Sequence, residues 1–287
     1  MLARSLRNLG AARGAPRVGT EAWRQRYGPW ALVAGGSMGI GAAFARRLAA
    51  SGLHLVLVAN EPRSLHELAA ELRTRHGVEV MALEAELGSL EGIERVREAC
   101  ASREIGLLVY NAAVSFVGRS LEQDDASRLR QLHVNCRAPL LLAMAQAEAM
   151  VGRGRGGIVL MSSLTGLHGF PGVSTYAATK AFALVLGESL WGELRPHGVD
   201  VLAVCPGPTD TPGLAASSPR FGWPSAPVMS SEAVVDQSLA ALGRRPQLVP
   251  GRINRAAAAL LLRVLPRPWA VWLAASNLRR AYPSRLG

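Results

Sequence analysis

The stretch WALVAGGSMGIG, residues 30–41, decides the fold of this chain of 287 residues. An apolar run typical of a strand leads into three spaced glycines, Gly35, Gly39 and Gly41, at the start of a helical segment. Glycine permits a tight turn and a close approach of the backbone to a pyrophosphate, and the helix start offers unpaired N–H groups to phosphate oxygens. We therefore predict a dinucleotide site here, the alternative being a glycine-rich turn without a ligand. No Gly-Lys-Ser/Thr follows, so the loop is not that of a nucleoside triphosphatase.

Working outward from this loop, six further apolar runs are typical of strands, and helical segments lie between them. The strand runs cover 53–59, 78–84, 105–110, 157–163, 199–205 and 246–250, and helical segments include 40–51, 62–75, 89–103 and 174–195. Apolar residues at consecutive positions indicate strands that are buried on both faces. The alternation predicts an α/β fold: a single-domain, Rossmann-like, doubly wound parallel sheet of about seven strands with helices on both faces.

Composition narrows the classes of function. The formal net charge is +11, but no basic run is interleaved with aromatic residues and no nucleic-acid-binding signature is present, so we expect no nucleic-acid partner. The three cysteines are widely spaced, which predicts neither a metal site nor a disulfide framework and favours a reducing compartment. We expect a cytoplasmic protein. The alternative is a mitochondrial one, because residues 1–20 carry four arginines and no acidic residue, as a transit peptide would.

The two ends of the chain differ from its middle. We divide it into a basic N-terminal extension (1–27) for which disorder is an option, an NAD(P)-binding catalytic domain (28–250) that includes a lid (207–230), and an apolar and basic C-terminal helical extension (251–287). The lid segment is rich in proline, serine and alanine and contains Phe221 and Trp223. Residues 256–275 are very apolar, but arginines and prolines interrupt them, so a lid, a subunit interface or a helix on a membrane surface is favoured over a span.

The only lysine among the 32 lysines and arginines is Lys180, and it follows Tyr176 by one helical turn in the segment YAATK. Residues four apart share a helix face, and a neighbouring cation favours the phenolate and lowers the pKa of a tyrosine. Lysine suits this task because its ammonium is a compact charge that can also bond a ribose hydroxyl. The pair predicts a general acid and base. A chance pairing is the alternative.

Two further polar residues are candidates for the same site. Ser163 ends the strand run GIVLMSS, and its hydroxyl could hold a substrate carbonyl for Tyr176; Ser162 is the alternative, and either could be a strand-end cap. Asn135, in HVNCRAP, is a helical asparagine that could anchor a water for a proton relay, or a core amide satisfied by backbone.

The end of the second strand bears on which nucleotide binds. An acidic residue there would bond both ribose hydroxyls and repel a 2′-phosphate. This strand ends in Ala59 and Asn60, and the nearest cation is Arg63. We therefore expect NADP(H) to be favoured over NAD(H).

The chain resembles the short-chain dehydrogenases/reductases over about residues 28–250. The glycine loop, YNAA at 110–113, Asn135, Ser163, YAATK and CPGPTDTPG at 205–213 occur in the order seen in that family. The stretches YGPWALV and EIGLLVYNAA are most similar to its 3-oxoacyl and 17β-hydroxysteroid reductases and their bacterial relatives. The resemblance implies a nicotinamide oxidoreductase that is a homodimer or a homotetramer.

The resemblance also implies the site residues. The catalytic set would be Asn135, Ser163, Tyr176 and Lys180, and the cofactor would contact Gly35, Ser37, Met38, Gly39, Ile40, Gly41, Asn60, Arg63, Glu86, Asn111, Ala112, Tyr176, Lys180, Pro206, Gly207, Thr209 and Thr211. Four positions depart from the family pattern. Ala34 replaces a threonine, and Glu86 replaces an aspartate that usually faces adenine. In the NNAG motif, Tyr110 replaces the first asparagine and Ala113 replaces the glycine.

The predicted activity is NAD(P)(H)-dependent hydride transfer between a small hydrophobic ketone and its secondary alcohol, with Tyr176 as acid and base. An apolar lid favours a hydrophobic substrate. A non-catalytic nucleotide-binding or interaction protein on the same fold is the alternative, because fold does not fix function. A nucleotide-sugar epimerase or dehydratase is disfavoured, because no substantial second domain is present.

Overall fold

A computed structural model of the chain describes residues 15–220 and 227–286. Its centre is a parallel sheet of seven strands in the order β3-β2-β1-β4-β5-β6-β7. The strands are β1 (Trp30–Ala34), β2 (His54–Ala59), β3 (Val80–Glu84), β4 (Ile105–Tyr110), β5 (Gly156–Met161), β6 (Val199–Val204) and β7 (Gln247–Leu248). The strand order reverses direction between β1 and β4, and in such sheets the ligand crevice lies at the carboxyl ends beside this point.

Helices cover both faces of the sheet. In chain order they are α1 (Glu21–Tyr27), α2 (Gly39–Ala50), α3 (Pro62–His76), α4 (Leu90–Ala101), α5 (Asp125–Leu132), α6 (Ala138–Arg153), α7 (Ser174–Leu194), α8 (Pro212–Ser217), α9 (Ser231–Ala241), α10 (Arg252–Arg263), α11 (Arg267–Ala281) and α12 (Pro283–Leu286). One apolar core lies between the sheet and α1, α2, α3 and α9, and a second between the opposite face and α4, α6 and α7. The predicted doubly wound α/β fold is therefore confirmed.

The helical segment around Asn135 is not regular. Between α5 and α6, residues His133–Arg137 form a π-helical turn. Such a turn inserts an extra residue into the helix and often marks a functional site. The sequence predicted only helix here, because the irregularity comes from contacts across the fold rather than from local propensity.

The N-terminal extension predicted over 1–27 is not disordered throughout. Helix α1 begins after Thr20, whose side chain accepts a hydrogen bond from the Trp23 N–H at 3.3 Å. Trp23 and Tyr27 are one turn apart and are fully buried in the first core. The ordered fold therefore begins before residue 28, and residues 1–14 of the extension lie outside the described part of the chain.

A buried carboxylate attaches α1 to the sheet. Asp200 of β6 accepts a hydrogen bond from Arg26 Nε at 2.6 Å and from the Tyr27 hydroxyl at 2.7 Å, both at the same oxygen. Because Asp200 is only 6% exposed, these two donors replace the water that the carboxylate would otherwise bind. The position of α1 is thus specified from a strand more than 170 residues away.

Residues 252–263, 267–281 and 283–286 form α10, α11 and α12, and the C-terminal part of this segment contacts the described part of the predicted lid. The lid contains the short helix α8. Its Arg220 N–H donates to the Ala281 carbonyl at 2.8 Å. Lid residues 221–226, which include Phe221 and Trp223, lie outside the described residues. Tyr282 and Ser217 share a hydrogen bond of 2.9 Å between their hydroxyls. Across residues 15–220 and 227–286, none of the helices combines the length and the apolar composition that a membrane span requires.

We expect Asp200→Asn to lower the free energy of unfolding by about 2 kcal/mol, because a buried hydrogen-bonded charge pair is broken. Urea unfolding measures the loss. Asp236→Asn is the matched control: its carboxylate is exposed and paired with Arg47 at 2.9 Å, and its loss should cost less than about 0.5 kcal/mol. Equal losses for the two variants would contradict the role of Asp200.

Candidate active site

The carboxyl end of β5 and the first turns of α7 bring together the predicted catalytic side chains. Lys180 is 4% exposed, its Nζ donates to the Met161 carbonyl oxygen at 2.9 Å, and it lies 5.5 Å from the centre of the Tyr176 ring. The Ser163 hydroxyl lies near the Tyr176 phenol and acts to lower the pKa of that phenol. The spacing of one helical turn therefore places ammonium, phenol and hydroxyl in one site.

The structure distinguishes the two adjacent serines. Ser162 is buried, and its hydroxyl donates to the Lys180 backbone carbonyl oxygen at 2.7 Å. This hydrogen bond connects α7 to the end of β5. Ser163 Oγ accepts the Thr165 N–H at 3.2 Å and faces Tyr176. Successive residues of an extended chain point to opposite sides, which gives the two serines their different partners.

The pKa of the Tyr176 phenol lies above its ordinary value, whereas we expected the neighbouring ammonium to lower it. Burial raises the pKa of Tyr176 to about 12, and the nearby Ser163 hydroxyl acts against this rise. Burial also lowers the pKa of Lys180 to about 8. The ammonium bonds to the Met161 carbonyl, and removal of the phenol from water outweighs any help it gives to the phenolate.

Asn135 holds neighbouring backbone in the structure, which is the alternative to a water anchor. Its Oδ1 accepts the Val114 N–H at 2.9 Å, and its Nδ2 donates to the Val114 carbonyl at 2.8 Å and to Thr179 Oγ1 at 3.0 Å. Tyr110, which departs from the family pattern, donates to the Val134 carbonyl at 2.6 Å and so fixes the same π-helical turn. These contacts make Asn135 a positioning residue that joins the segment after β4 to α7.

The glycine loop has the shape that a dinucleotide requires. A Cβ at Gly41 would lie 1.8 Å from the Gly35 carbonyl oxygen, and a Cβ at Gly35, where φ is +74°, would lie 2.6 Å from the Ala112 backbone. Helix α2 begins at Gly39 with no side-chain cap, so its first N–H groups are free to face an anion. The loop opens on a cleft of about 390 Å³, so the residues present fit a nicotinamide dinucleotide.

Most of the predicted cofactor residues line this cleft: Gly35, Ser37, Met38, Gly39, Ile40, Asn60, Glu86, Asn111, Ala112, Tyr176 and Thr211. Gly41 lies directly beneath it, against the Gly35 carbonyl and the Asn111 amide. The cleft runs from the end of β2 to the phenol of Tyr176, as a cofactor with a distal adenine and a reactive ring at Tyr176 would require.

Comparison with known proteins agrees with this geometry. A family model described as short chain dehydrogenase matches residues 29–220. The chain belongs to the short-chain dehydrogenase family. Similar proteins include a 7beta-hydroxysteroid dehydrogenase of Collinsella aerofaciens, which is 29% identical over 81% of this chain and 89% of its own length. A very-long-chain 3-oxoacyl-CoA reductase of Anas platyrhynchos is 31% identical over 74% of this chain and 71% of its own.

A solved structure is similar as well. A short-chain dehydrogenase from Sphingobium yanoikuyae in complex with NADPH has a TM-score of 0.70 and 37% identity, over 77% of this chain and 87% of that one. This chain therefore belongs to the group of the family that resembles 3-oxoacyl and hydroxysteroid reductases. It is an NAD(P)-binding oxidoreductase that acts on CH–OH groups.

The cation of the nucleotide cleft in this short-chain dehydrogenase is not the one predicted. Arg63 is exposed and paired with Glu67 at 2.9 Å, and it is not among the cleft residues. Arg130 of α5 lines the cleft instead, and donates to Glu86 Oε2 at 3.1 Å. Asn60 Nδ2 reaches the same oxygen at 3.4 Å. Arg130 was missed because no local pattern links α5 to the end of β2.

The loop after β6 in this family member closes the other side of the site. Thr209 Oγ1 donates to the Gly207 carbonyl at 3.0 Å, and the Pro206 carbonyl accepts the Leu164 N–H at 2.9 Å, next to Ser163. Gly207 also lies against Asn254 of α10, a residue that the sequence did not indicate as part of the site. The packing is close, because a Cβ placed on Gly207 would lie 2.9 Å from Asn254 Nδ2. The C-terminal helices thus reach the nicotinamide end of the predicted site.

Within the described ranges, no group of three or more His, Cys, Asp or Glu side chains is placed to hold a metal ion. Cys100, Cys136 and Cys205 are free cysteines.

Proposed function

We propose that this protein interconverts a hydrophobic ketone and its secondary alcohol, with Tyr176 as the proton donor and acceptor and with NADP(H) preferred. The observation that carries the proposal is the position of Tyr176 at the end of the dinucleotide cleft, with the buried Lys180 ammonium 5.5 Å from the centre of its ring and Ser163 close to its phenol. A nicotinamide supplies the hydride when bound. The protein supplies orientation and the proton.

Each side chain has a separate task in this proposal. With a pKa of about 12, Tyr176 is a neutral phenol at pH 7 and is ready to donate its proton to the carbonyl oxygen as that oxygen gains charge. Ser163 would donate its hydroxyl hydrogen to the same carbonyl oxygen and so hold the carbonyl beside the phenol. Lys180, with its remaining N–H donors, would hold the ribose and stabilise the phenolate after proton transfer.

The preference for NADP(H) rests on charge at the end of β2. Asn60 lines the cleft where an acidic residue would repel a 2′-phosphate, and Arg130 adds a cation to the same end. Glu86 faces both of these side chains and partly offsets the positive charge. The NADPH complex of the Sphingobium yanoikuyae relative supports the choice.

The hydrophobic substrate is supported by the relatives, which are named for hydroxysteroid and very-long-chain acyl substrates. Apolar side chains also lie near the catalytic end. Leu164 follows Ser163, and Leu278 and Leu286 pack on Gly172, where a Cβ would lie 2.8 Å from each.

A homodimer or a homotetramer is part of the proposal. Exposed Met144 and Val185 on α6 and α7 are suitable contacts for it.

Turnover by the purified protein tests the function. We expect NADPH-dependent reduction of at least one compound in a panel of steroid ketones, 3-oxoacyl thioesters and aromatic ketones, followed by nicotinamide absorbance. Tyr176→Phe should lower kcat by about 10²–10⁴-fold, because the proton donor is lost, and should leave the Kd of NADPH within about threefold.

Tyr27→Phe is the matched control, since it removes a buried phenol hydroxyl far from the cleft, and it should retain its rate at a temperature where it is folded. Full activity of Tyr176→Phe would contradict the assignment. Nucleotide binding without turnover of any compound by the unaltered protein would favour a non-catalytic protein.

The pH dependence follows from the two pKa values. Reduction needs the neutral phenol and the ammonium, so kcat/KM for NADPH should be flat up to about pH 8 and fall tenfold per unit above it, as Lys180 loses its proton. Oxidation needs the phenolate and the ammonium. Its kcat/KM for NADP⁺ should rise tenfold per unit to about pH 8 and then level off until about pH 12. Initial rates from pH 6 to 10 measure both, and an oxidation rate independent of pH below 8 would contradict Tyr176 as the base.

The cofactor preference is tested at the end of β2. Asn60→Asp places a carboxylate beside Glu86, and we expect it to raise the Kd of NADPH at least tenfold while the Kd of NADH falls or is unchanged. Arg63→Gln is the control, because the structure pairs Arg63 with Glu67, and it should change neither Kd more than about twofold. Fluorescence titration of the reduced nucleotides gives both constants. Tighter binding of NADH than NADPH by the unaltered protein would refute the preference.

A further inference from the structure

The C-terminal extension has an unusual combination of residues. Between residues 251 and 287 the chain carries seven arginines and two tryptophans, and no aspartate or glutamate. These residues form α10, α11 and α12, which follow the last strand. A segment that is both basic and apolar, with no acidic residue, is typical of helices that lie on an anionic surface.

Helix α10 has an inner and an outer face. Asn254 and Ala258 are buried, and Asn254 packs against Gly207 of the site. Ile253 and Leu260 are 67% and 52% exposed, and Val264, just beyond the helix, is 68% exposed. Positions 253, 260 and 264 are spaced by seven and four residues, so they form one apolar stripe on the side away from the protein.

Helix α11 repeats this arrangement with aromatic residues. Ala270 and Ala274 are buried, while Trp269 and Trp272, three positions apart, are 67% and 65% exposed. An indole has a large apolar body and one N–H donor, and it is stable at the boundary between water and lipid. Five of the thirteen large apolar side chains that the described residues leave exposed therefore lie between 253 and 272.

The arginines beside these stripes are free of acidic partners. Arg252, Arg255, Arg263 and Arg267 are exposed, and no carboxylate within the described residues forms an ion pair with any of them. Elsewhere on the surface, arginines such as Arg46 and Arg47 pair with glutamate or aspartate. The positive charge of α10 and α11 is thus available to an external anionic partner.

The chemistry of this surface identifies its partner. A second copy placed isologously would bring this strongly basic surface against itself, which like-charge repulsion opposes. A nucleic acid would satisfy the arginines and stack on the indoles, but it would leave Ile253, Leu260 and Val264 without a favourable contact. An anionic phospholipid bilayer satisfies all three groups, because headgroups pair with arginine, the interface accepts tryptophan, and acyl chains accept the aliphatic side chains.

We propose that the outer face of α10 and α11 binds the surface of an anionic phospholipid membrane without spanning it. The inner faces of the same helices touch the catalytic end: Asn254 packs against Gly207, and Tyr282 is bonded to Ser217 of the lid. Docking would therefore hold Gly207 and Ser217 on the side of the protein that faces the lipid, and an apolar substrate could enter from the bilayer. This second point rests on the proposed function, whereas the binding itself does not.

Co-sedimentation of the full chain with vesicles tests the proposal. The probes are vesicles of phosphatidylcholine alone and of phosphatidylcholine with 30% phosphatidylglycerol, at 0.1 M salt. We expect binding to the anionic vesicles only, with loss of most of it at 0.5 M salt, since screening weakens the charge term. Trp269→Ala with Trp272→Ala, and separately Arg263→Glu with Arg267→Glu, should each weaken binding about 30-fold or more.

The control removes one exposed apolar side chain and reverses one arginine charge elsewhere on the surface. Leu121 is 97% exposed, and Arg95 is exposed on α4, so Leu121→Ala with Arg95→Glu should leave vesicle binding within about twofold. Thermal unfolding and the Kd of NADPH show whether each variant is folded. Neither readout depends on turnover, so failure of this proposal and failure of the proposed activity are distinguishable.

Two results would overturn the proposal. One is equal binding of the unaltered protein and both surface variants to anionic vesicles, or no binding at all. The other is a halved mass in solution for the tryptophan variant, measured by sedimentation, with unchanged vesicle binding. That result would make the surface an interface between copies of this chain.

Discussion

The site depends on one buried interaction, the hydrogen bond of 2.9 Å from Lys180 Nζ to the carbonyl oxygen of Met161. An ammonium that is 4% exposed loses its hydration, and the carbonyl dipole at the strand end replaces part of it. The next residue, Ser162, donates to the backbone carbonyl of the same lysine. Met161, the last residue of β5, and Ser162, which follows it, therefore hold Lys180 at its side chain and at its backbone, and these two contacts fix the position of α7 along β5.

Once that register is fixed, the remaining catalytic geometry follows. Tyr176 precedes Lys180 by one turn and is carried to the side of Ser163, the residue after the two that hold the lysine. Asn135 adds a second attachment, because it bonds Thr179 of the same helix and both backbone groups of Val114. The π-helical turn aims Asn135 at these partners, and Tyr110 fixes that turn from the neighbouring strand. The helix is thus held from β5 and from the segment after β4, and the cofactor cleft lies between them.

Features that depend on local sequence were predictable, and features that depend on distant contacts were not. Seven apolar runs and a glycine loop sufficed for the sheet, and the four-residue spacing of Tyr176 and Lys180 sufficed for their shared face. The order of α1 was missed because it depends on Asp200, which lies far along the chain. The position of Arg130 in the cleft, where Arg63 was expected, also depends on contacts between residues far apart in the chain. The approach of Asn254 to Gly207 is a further contact of this kind. The predicted lowering of the pKa of Tyr176 was wrong, because the spacing of residues in a sequence does not show how deeply a side chain is buried.

The C-terminal helices show how one segment can serve the fold and a surface together. Asn254 and Ala258 face inward, with Asn254 against Gly207 in the loop after β6, and this orientation leaves Ile253 and Leu260 facing out. A helix that served the fold alone would carry polar residues on its outer face, since exposed apolar side chains are a solubility cost with no packing benefit. The outer face instead combines aliphatic residues, two indoles and unpaired arginines. Its composition is therefore explained by a contact outside the fold, and the lid that rests on the same helices links that contact to the site.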